Sequence, residues 1–330
     1  LRSDDLAFRF PGLKADLVLR GDINRGGYGL AGPIAVSGLK VNNLGTLDAT
    51  AKIRFMVGNG VPWRLAANFA ARMPTVSNAT LAGLTGGNVR FRGGLMLGAR
   101  APIRFSNVTL TSNKLTLNIN GSVQNGTTSL VGSGRSAQYG AFTVKATVGA
   151  NGPNAELVFA NPLPSAGLRD VHVTLAPTKD GFRIDTSGDS TLGPFKGLVF
   201  LTSPPGGATH ITIDHLDVWR TSVTGDLTLG NGAASGTVRL SGGGLNGTIA
   251  LAPRGGGQGF DVHLTAKDAA FGGATRLSVR QATIDATGFV GGGKSSISGN
   301  VQAQGISYGT MFIGRLAATA NVVNGRGTFN

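Results

Sequence analysis

One pattern limits what this chain can fold into: apolar residues return at every second position, segment after segment. Ile103 to Val123 shows it most clearly. Ile103 and Phe105 flank Arg104, while Leu115, Leu117 and Ile119 alternate with Thr116 and Asn118. Period two describes a strand with one apolar face and one wet face. The apolar set then steps from Phe105 to Val108, an odd interval that predicts a β-bulge near Asn107. Asn120-Gly121, near the end of this stretch, reads as a hairpin turn.

The same alternation runs through residues 1–60 and from Asn88 to the end. Asn-Gly or Asp-Gly pairs punctuate it at Asn59, Asn125, Asn151, Asp180, Asn231, Asn246 and Asn324. About 20 or more strands with turn signals every 8–12 residues or so are expected, an all-β architecture. Glycine, at 54 of 330 residues, has no period of three, which excludes collagen. Charged residues are only 14% of the chain, too few for a disordered one. Residues 61–84 interrupt the alternation. Leu65 and Phe69 lie four apart between Pro62 and Pro74, predicting a short helix at 62–72 and a further turn near 77–84.

No linker separates the strands. Asn161-Pro162-Leu163-Pro164 and Ser203-Pro204-Pro205-Gly206-Gly207 are loop material, and alternation resumes beyond each. A compact sandwich closes with fewer strands. The expectation is one continuous β-rich stretch over 1–330 that grows by adding strands, mainly antiparallel. About 20 strands at roughly 4.8 Å spacing give a sheet on the order of 100 Å long. Its apolar face must fold over itself, pack on another sheet or hold an apolar ligand. The chain opens on Leu1 without a leader pattern and reads as part of a longer protein; no run of about 18 apolar residues is present.

Charge is uneven. Lys plus Arg number 30 against 16 Asp plus Glu, a formal net charge of +14. Between Asp48 and Glu156 there is no acid, while that span carries Lys52, Arg54, Arg64, Arg72, Arg90, Arg92, Arg100, Arg104, Lys114, Arg135 and Lys145. Such a surface attracts anions or serves as a solvated face that keeps an adhesive sheet in solution. Nucleic acid is not expected as a partner, because the span has no aromatic platform for bases.

The catalytic motifs lack their contexts. Gly288 to Ser295, GFVGGGKS, satisfies the phosphate-loop spacing, but the SSISG that follows alternates like a strand. Gly256 to Leu264 approaches a calcium-binding nonapeptide, with His263 at the position that needs an apolar residue and no tandem copy. The four histidines, His172, His210, His215 and His263, have no metal-ligand spacing. His210 and His215, near Asp214 and Asp217, form the one local cluster, in which strand phase puts His215 and Ile213 on one face. Glu156 is the single Glu, the Asp residues occupy turns or outward positions, and no nucleophile elbow passes from strand to helix. Cysteine is absent. The reading is not an enzyme, with no cofactor and no metal.

LRDVHVTLAPTKDGFRIDTSGDSTLGPF (Leu168 to Phe195), LSGGGLNGTIALAP (Leu240 to Pro253) and VQAQGISYGTMFIGRLAATANVVNGRGTF (Val301 to Phe329) resemble the TamB family of translocation and assembly module proteins. AsmA-like and YdbH-like proteins read nearly the same. The resemblance covers most of the chain and rests on strand-and-turn patterns. It implies a sheet rolled into a taco-like groove with an apolar lining, in the periplasm, within a parent protein anchored in the inner membrane. It further implies phospholipid as cargo between the inner and outer membranes and a TamA-like outer-membrane barrel as partner.

On that reading the lining is Ile103, Phe105, Leu115, Leu117 and Ile119, continued by Val171, Val173, Leu175, Ile211, Ile213, Leu227, Leu229, Leu277 and Val279. A dry sandwich core would use the same positions. The alternative function is a scaffold for outer-membrane protein assembly by strand addition. An outer-membrane barrel needs aromatic girdles, and only Trp63, Trp219, Tyr28, Tyr139 and Tyr308 stand beside the Phe residues. An adhesin-type β-solenoid needs copied coils, which are not seen.

Overall fold

The computed structural model describes residues 12–22, 24, 26–41, 45–58, 60–77, 82, 85–150, 152–164, 167–203, 207–230, 232–273 and 275–330. Strand makes up 81% of the structure and helix 1%. Two compact units divide at Pro162/Leu163, inside the Asn161–Pro164 stretch.

The first unit is an antiparallel ladder in which each strand pairs with the next along the chain. Its edge consists of two short pieces, β1 (Lys14–Ala15) and β2 (Val18–Asp22), both on β3 (Gly27–Val41). β4 (Gly45–Gly58), β5 (Val61–Val76), β6 (Val89–Gly98) and β7 (Ala101–Thr111) follow, then β8 (Leu115–Gln124), β9 (Thr127–Ser136), β10 (Gly140–Gly149) and β11 (Gly152–Phe159).

The second unit repeats the plan. β12 (Arg169–Thr178), β13 (Gly181–Ser190), β14 (Gly193–Thr202), β15 (Thr209–Val218), β16 (Thr221–Gly230), β17 (Ala233–Ser241) and β18 (Leu245–Arg254) are mostly ten residues long. β19 (Gly257–Gly272), β20 (Arg276–Gly291), β21 (Lys294–Tyr308) and β22 (Met311–Val323) are longer, and β23 (Arg326–Phe329) is short. The strands do not close into a barrel.

The helix expected at 62–72 is a strand. Leu65, Phe69 and Ala71 are half-buried and Ala67 and Met73 buried, while Arg64, Ala66, Asn68, Ala70 and Arg72 are exposed. A spacing of four is also twice two, so the Leu65–Phe69 interval fits either period. Pairing with β4 and β6 on both sides overrides the helix propensity of the alanines. Both prolines sit beside register shifts, at Met56/Gly58 and Thr46/Asp48, where an unpaired residue tolerates the missing N–H. Near 77–84, Ala82 and Thr85 are helical and Gly86 N–H donates to Ala82 O at 2.8 Å, while 78–81, 83 and 84 lie outside the described residues.

Asn125-Gly126 and Asn324-Gly325 form the two-residue turns their sequence demands, with positive φ at both positions. Asn120-Gly121 and Asn246-Gly247 do not turn; both lie within strands. Asn120 has another task. The ladder slips between Phe105 and Val108, Asn107 takes φ 50°, and its N–H donates to Asn120 Oδ1 at 2.8 Å. The bulge therefore sits where the odd interval places it, and Asn120 satisfies the amide that the bulge frees.

Candidate functional site: the apolar face of each ladder

Residues directly opposite in register share a face, so each ladder can be read row by row. In the first unit one row runs Phe91, Leu110, Leu117, Gly134, Phe142 and Phe159 across β6 to β11. The next row places Ile119 between Val108 and Gly132, and Phe105 stands between Leu95 and Gly121. Ile103 pairs with Val123, and Leu115 with Ser136. All five expected residues are on this face and all are half-buried.

In the second unit a single row crosses eleven strands: Leu175, Ile184, Val199, Ile213, Gly225, Val238, Ile249, Val262, Ala286, Gly299 and Ala320. Ten steps of roughly 4.8 Å carry it about 48 Å. Ile211 and Leu227 pair in a neighbouring row, and Val173 belongs to another. Leu229 lies near the β16–β17 turn, 36% exposed. Leu277 pairs with Phe271 and Tyr308.

Two of the expected positions pack against the protein itself, one of them buried and one half-buried. Val171 is buried, beside the register shift between Arg169 and His172. Val279 packs against a buried alanine cluster of Ala266, Ala269, Ala282 and Ala303. Alanines there let the strands carry larger neighbours, Phe271 and Ile306, over them.

Sequence periodicity did not single out the strand glycines on this face. A Cβ on Gly134 would stand 2.7 Å from Phe142 Cζ, on Gly132 2.8 Å from Ile119 Cγ2, and on Gly197 2.8 Å from Leu216 Cδ1. The Phe260 ring occupies the corresponding space at Gly288. Large side chains thus lie along the sheet, over a neighbouring strand's glycine, rather than standing away from it. The signal was available: Gly132 and Gly134 hold the apolar phase of β9, and Val131, the conspicuous apolar residue between Leu130 and Gly132, is 52% exposed on the other face.

The consequence is a lining without a filled interior. Among the described residues nine apolar side chains are buried, six of them alanines. A half-exposed Leu or Ile leaves about 1 kcal/mol of its transfer free energy unrealised. Each ladder presents many, side by side.

The second unit is held at one rim by Trp219. Its ring covers Gly193 at the start of β14 and Gly272 at the end of β19, two strands five apart in the ladder. At the opposite end of β19, Gln258 reaches past β18, accepting from Ala234 N–H at 2.7 Å and donating to Ala234 O at 3.0 Å. In the first unit the turn after β7 is tied to the β5–β6 connection. Lys114 N–H donates to Thr85 O at 2.9 Å and Asn113 Nδ2 to Gly86 O at 2.7 Å.

The motifs set aside by sequence take ordinary places. Gly288 to Ser295 forms the β20–β21 hairpin, so no helix N-terminus follows Lys294. The stretch from Gly256 to Leu264 turns from β18 into β19. A bulge in β15 sets His215 opposite Leu198, one face away from Ile213, which corrects the face expected from simple alternation. His215 Nδ1 lies 2.9 Å from Asp214 Oδ2, exposed. Among the described residues no group of His, Asp or Glu is placed to hold a metal. Comparisons with protein families, curated proteins and solved structures find no match for the chain.

Proposed function

We propose that the apolar faces of the two ladders carry or shield the acyl chains of phospholipid, within a TamB-like parent protein that crosses the periplasm between the inner and outer membranes. The observation that carries this reading is the set of uninterrupted apolar rows, eleven strands long in the second unit, whose side chains stay half-exposed. An acyl chain loses roughly 0.8 kcal/mol per CH2 on entering water, so it gains from any continuous apolar path. Side chains laid flat over glycines leave space above the sheet for it. Aliphatic groups hold no polar atom in register, which lets a chain slide. The reading includes no reaction.

Lipid mass spectrometry on the purified chain, beside a Leu117→Asp, Ile119→Asp variant, tests this. Stoichiometric phospholipid in the parent, lost from a variant with an unchanged circular dichroism spectrum, is the expected result. A parent free of lipid overturns it. Unfolded outer-membrane polypeptide found in place of lipid moves the assignment to an assembly scaffold.

A further inference from the structure

The opposite, polar face of the first unit carries a feature that the lipid reading does not use. Arg72 on β5 stands directly opposite Arg90 on β6, and Arg92 follows two residues along the same face. Directly opposed Cβ atoms are about 5 Å apart, and like charges so placed destabilise a sheet. Residues two apart on a strand are separated by roughly 6.7 Å. Three guanidinium groups therefore share one small area.

Only Arg72 is compensated. Its Nε donates to Asp48 Oδ2 at 3.1 Å. Among the described residues Arg90 and Arg92 have no carboxylate partner, and both are exposed. The surroundings are shaped for a ligand. Arg92 has the small Ala70 on one side and Thr109 on the other, and Arg90 has Thr111 beyond it. Together with Lys14 these side chains border an open depression of about 890 Å3. Its lining adds the hydroxyls of Thr50, Thr109 and Thr111 and the one carboxylate, Asp48, which Arg72 pairs; the cations outnumber that acid, which suits an oxyanion that accepts many hydrogen bonds. Arginine's planar fork suits phosphate oxygens in particular. In the second unit Arg183 lies 2.8 Å from Asp185, and His263 2.7 Å from Asp285.

We propose that Arg72, Arg90 and Arg92 form a binding site for a phosphate-bearing ligand, a diphosphate or phosphate ester, on the face of the first ladder away from the apolar rows. The site is independent of what the apolar face carries. Its occupant relieves the repulsion that the fold tolerates between Arg72 and Arg90.

Isothermal titration of the full chain with inorganic pyrophosphate is the test. Binding to the parent and a loss of about tenfold or more in Arg90→Gln with Arg92→Gln is expected, since two charge-assisted contacts are removed. An Arg276→Gln, Arg315→Gln control in the second unit keeps the parent affinity. Arg90→Thr with Arg92→Thr, which retains strand propensity, gives the same loss. Thermal melting supplies a second readout: pyrophosphate raises the parent's Tm and leaves that of either double variant unmoved. Vesicles of phosphatidylglycerol beside phosphatidylcholine identify the source. Capture by the anionic vesicles that needs Arg90 and Arg92 indicates a lipid head group; pyrophosphate binding without capture indicates a free phosphate compound. Pyrophosphate binding that survives both substitutions, or is absent from the parent, overturns the proposal.

Discussion

In the first unit Arg72 faces Arg90 with no carboxylate between them, whereas in the second Arg183 lies against Asp185 and His263 against Asp285. The other faces of the same strands tell the opposite story. Phe91, Leu110 and Leu117 in the first unit and Val199, Ile213 and Ile249 in the second occupy equivalent half-buried rows. The apolar face is repeated from ladder to ladder, and the polar face is not. A property common to both units then belongs to the apolar rows, and one peculiar to the first unit belongs to its arginines. The rims differ as well: the second unit has an aromatic ring at one rim beside the Gln258 amide bonds, and the first is tied there by backbone and amide hydrogen bonds.

The largest effect should come from breaking the shared face in the second unit. Ile213→Asp with Ile249→Asp places two carboxylates in the row that crosses eleven strands. A carboxylate among acyl chains is costly, so co-purifying phospholipid should fall about tenfold, the same direction as expected for the Leu117 and Ile119 pair. Retention of lipid in this variant but not in the first-unit variant would confine the activity to the first ladder and end the equivalence.

Much of this comparison was legible before the structure. Of the fourteen residues that strict alternation picked, thirteen are buried or half-buried and Leu229 is exposed, and the odd interval between Phe105 and Val108 located the bulge at Asn107. What escaped was information that periodicity does not hold. Leu65 and Phe69 satisfy two periods at once, and only pairing with β4 and β6 decides between them. Asn120-Gly121 carries a turn signal, but its glycine is opposite Leu130 and its asparagine caps a bulge 13 residues earlier. The arginines were visible as a run without acids. That Arg72 meets Arg90, 18 positions away, depends on register, which the sequence states nowhere locally.

A smaller effect follows from the rim. Trp219→Ala removes the ring from Gly193 and Gly272. Trp219 is 41% exposed, so the loss should be about 1–2 kcal/mol, well below that of a fully buried tryptophan. Hydrogen exchange should quicken at residues 191–193 and 271–273 while the β5–β6 connection of the first unit keeps its protection. Equal loosening of both units would mean that the ring stabilises more than its own rim.

The smallest effect concerns Asp48, the carboxylate beside the first unit's arginines. Gly38 N–H donates to its Oδ1 at 2.9 Å, pinning the register shift between Val36 and Leu39, and Arg72 donates to its Oδ2. The Gly38 amide first, and Arg72 second, hold its carboxyl below the ordinary carboxylate range. A depressed pKa in the folded state means that the stabilisation is present above the unfolded value, near 3.9, and is lost as pH falls through the folded one. Asp48→Asn should therefore lower Tm slightly at pH 7, by an amount that shrinks as pH falls through the folded-state pKa and the parent carboxyl takes up its proton. A Tm difference that stays undiminished as the pH is lowered would assign the loss to geometry rather than charge. The same substitution removes the acid that compensates Arg72, so pyrophosphate should bind the variant about two- to threefold more tightly at neutral pH and modest salt. Weaker binding would instead show that Asp48 positions Arg72 for the anion, making the salt bridge part of the site rather than its competitor.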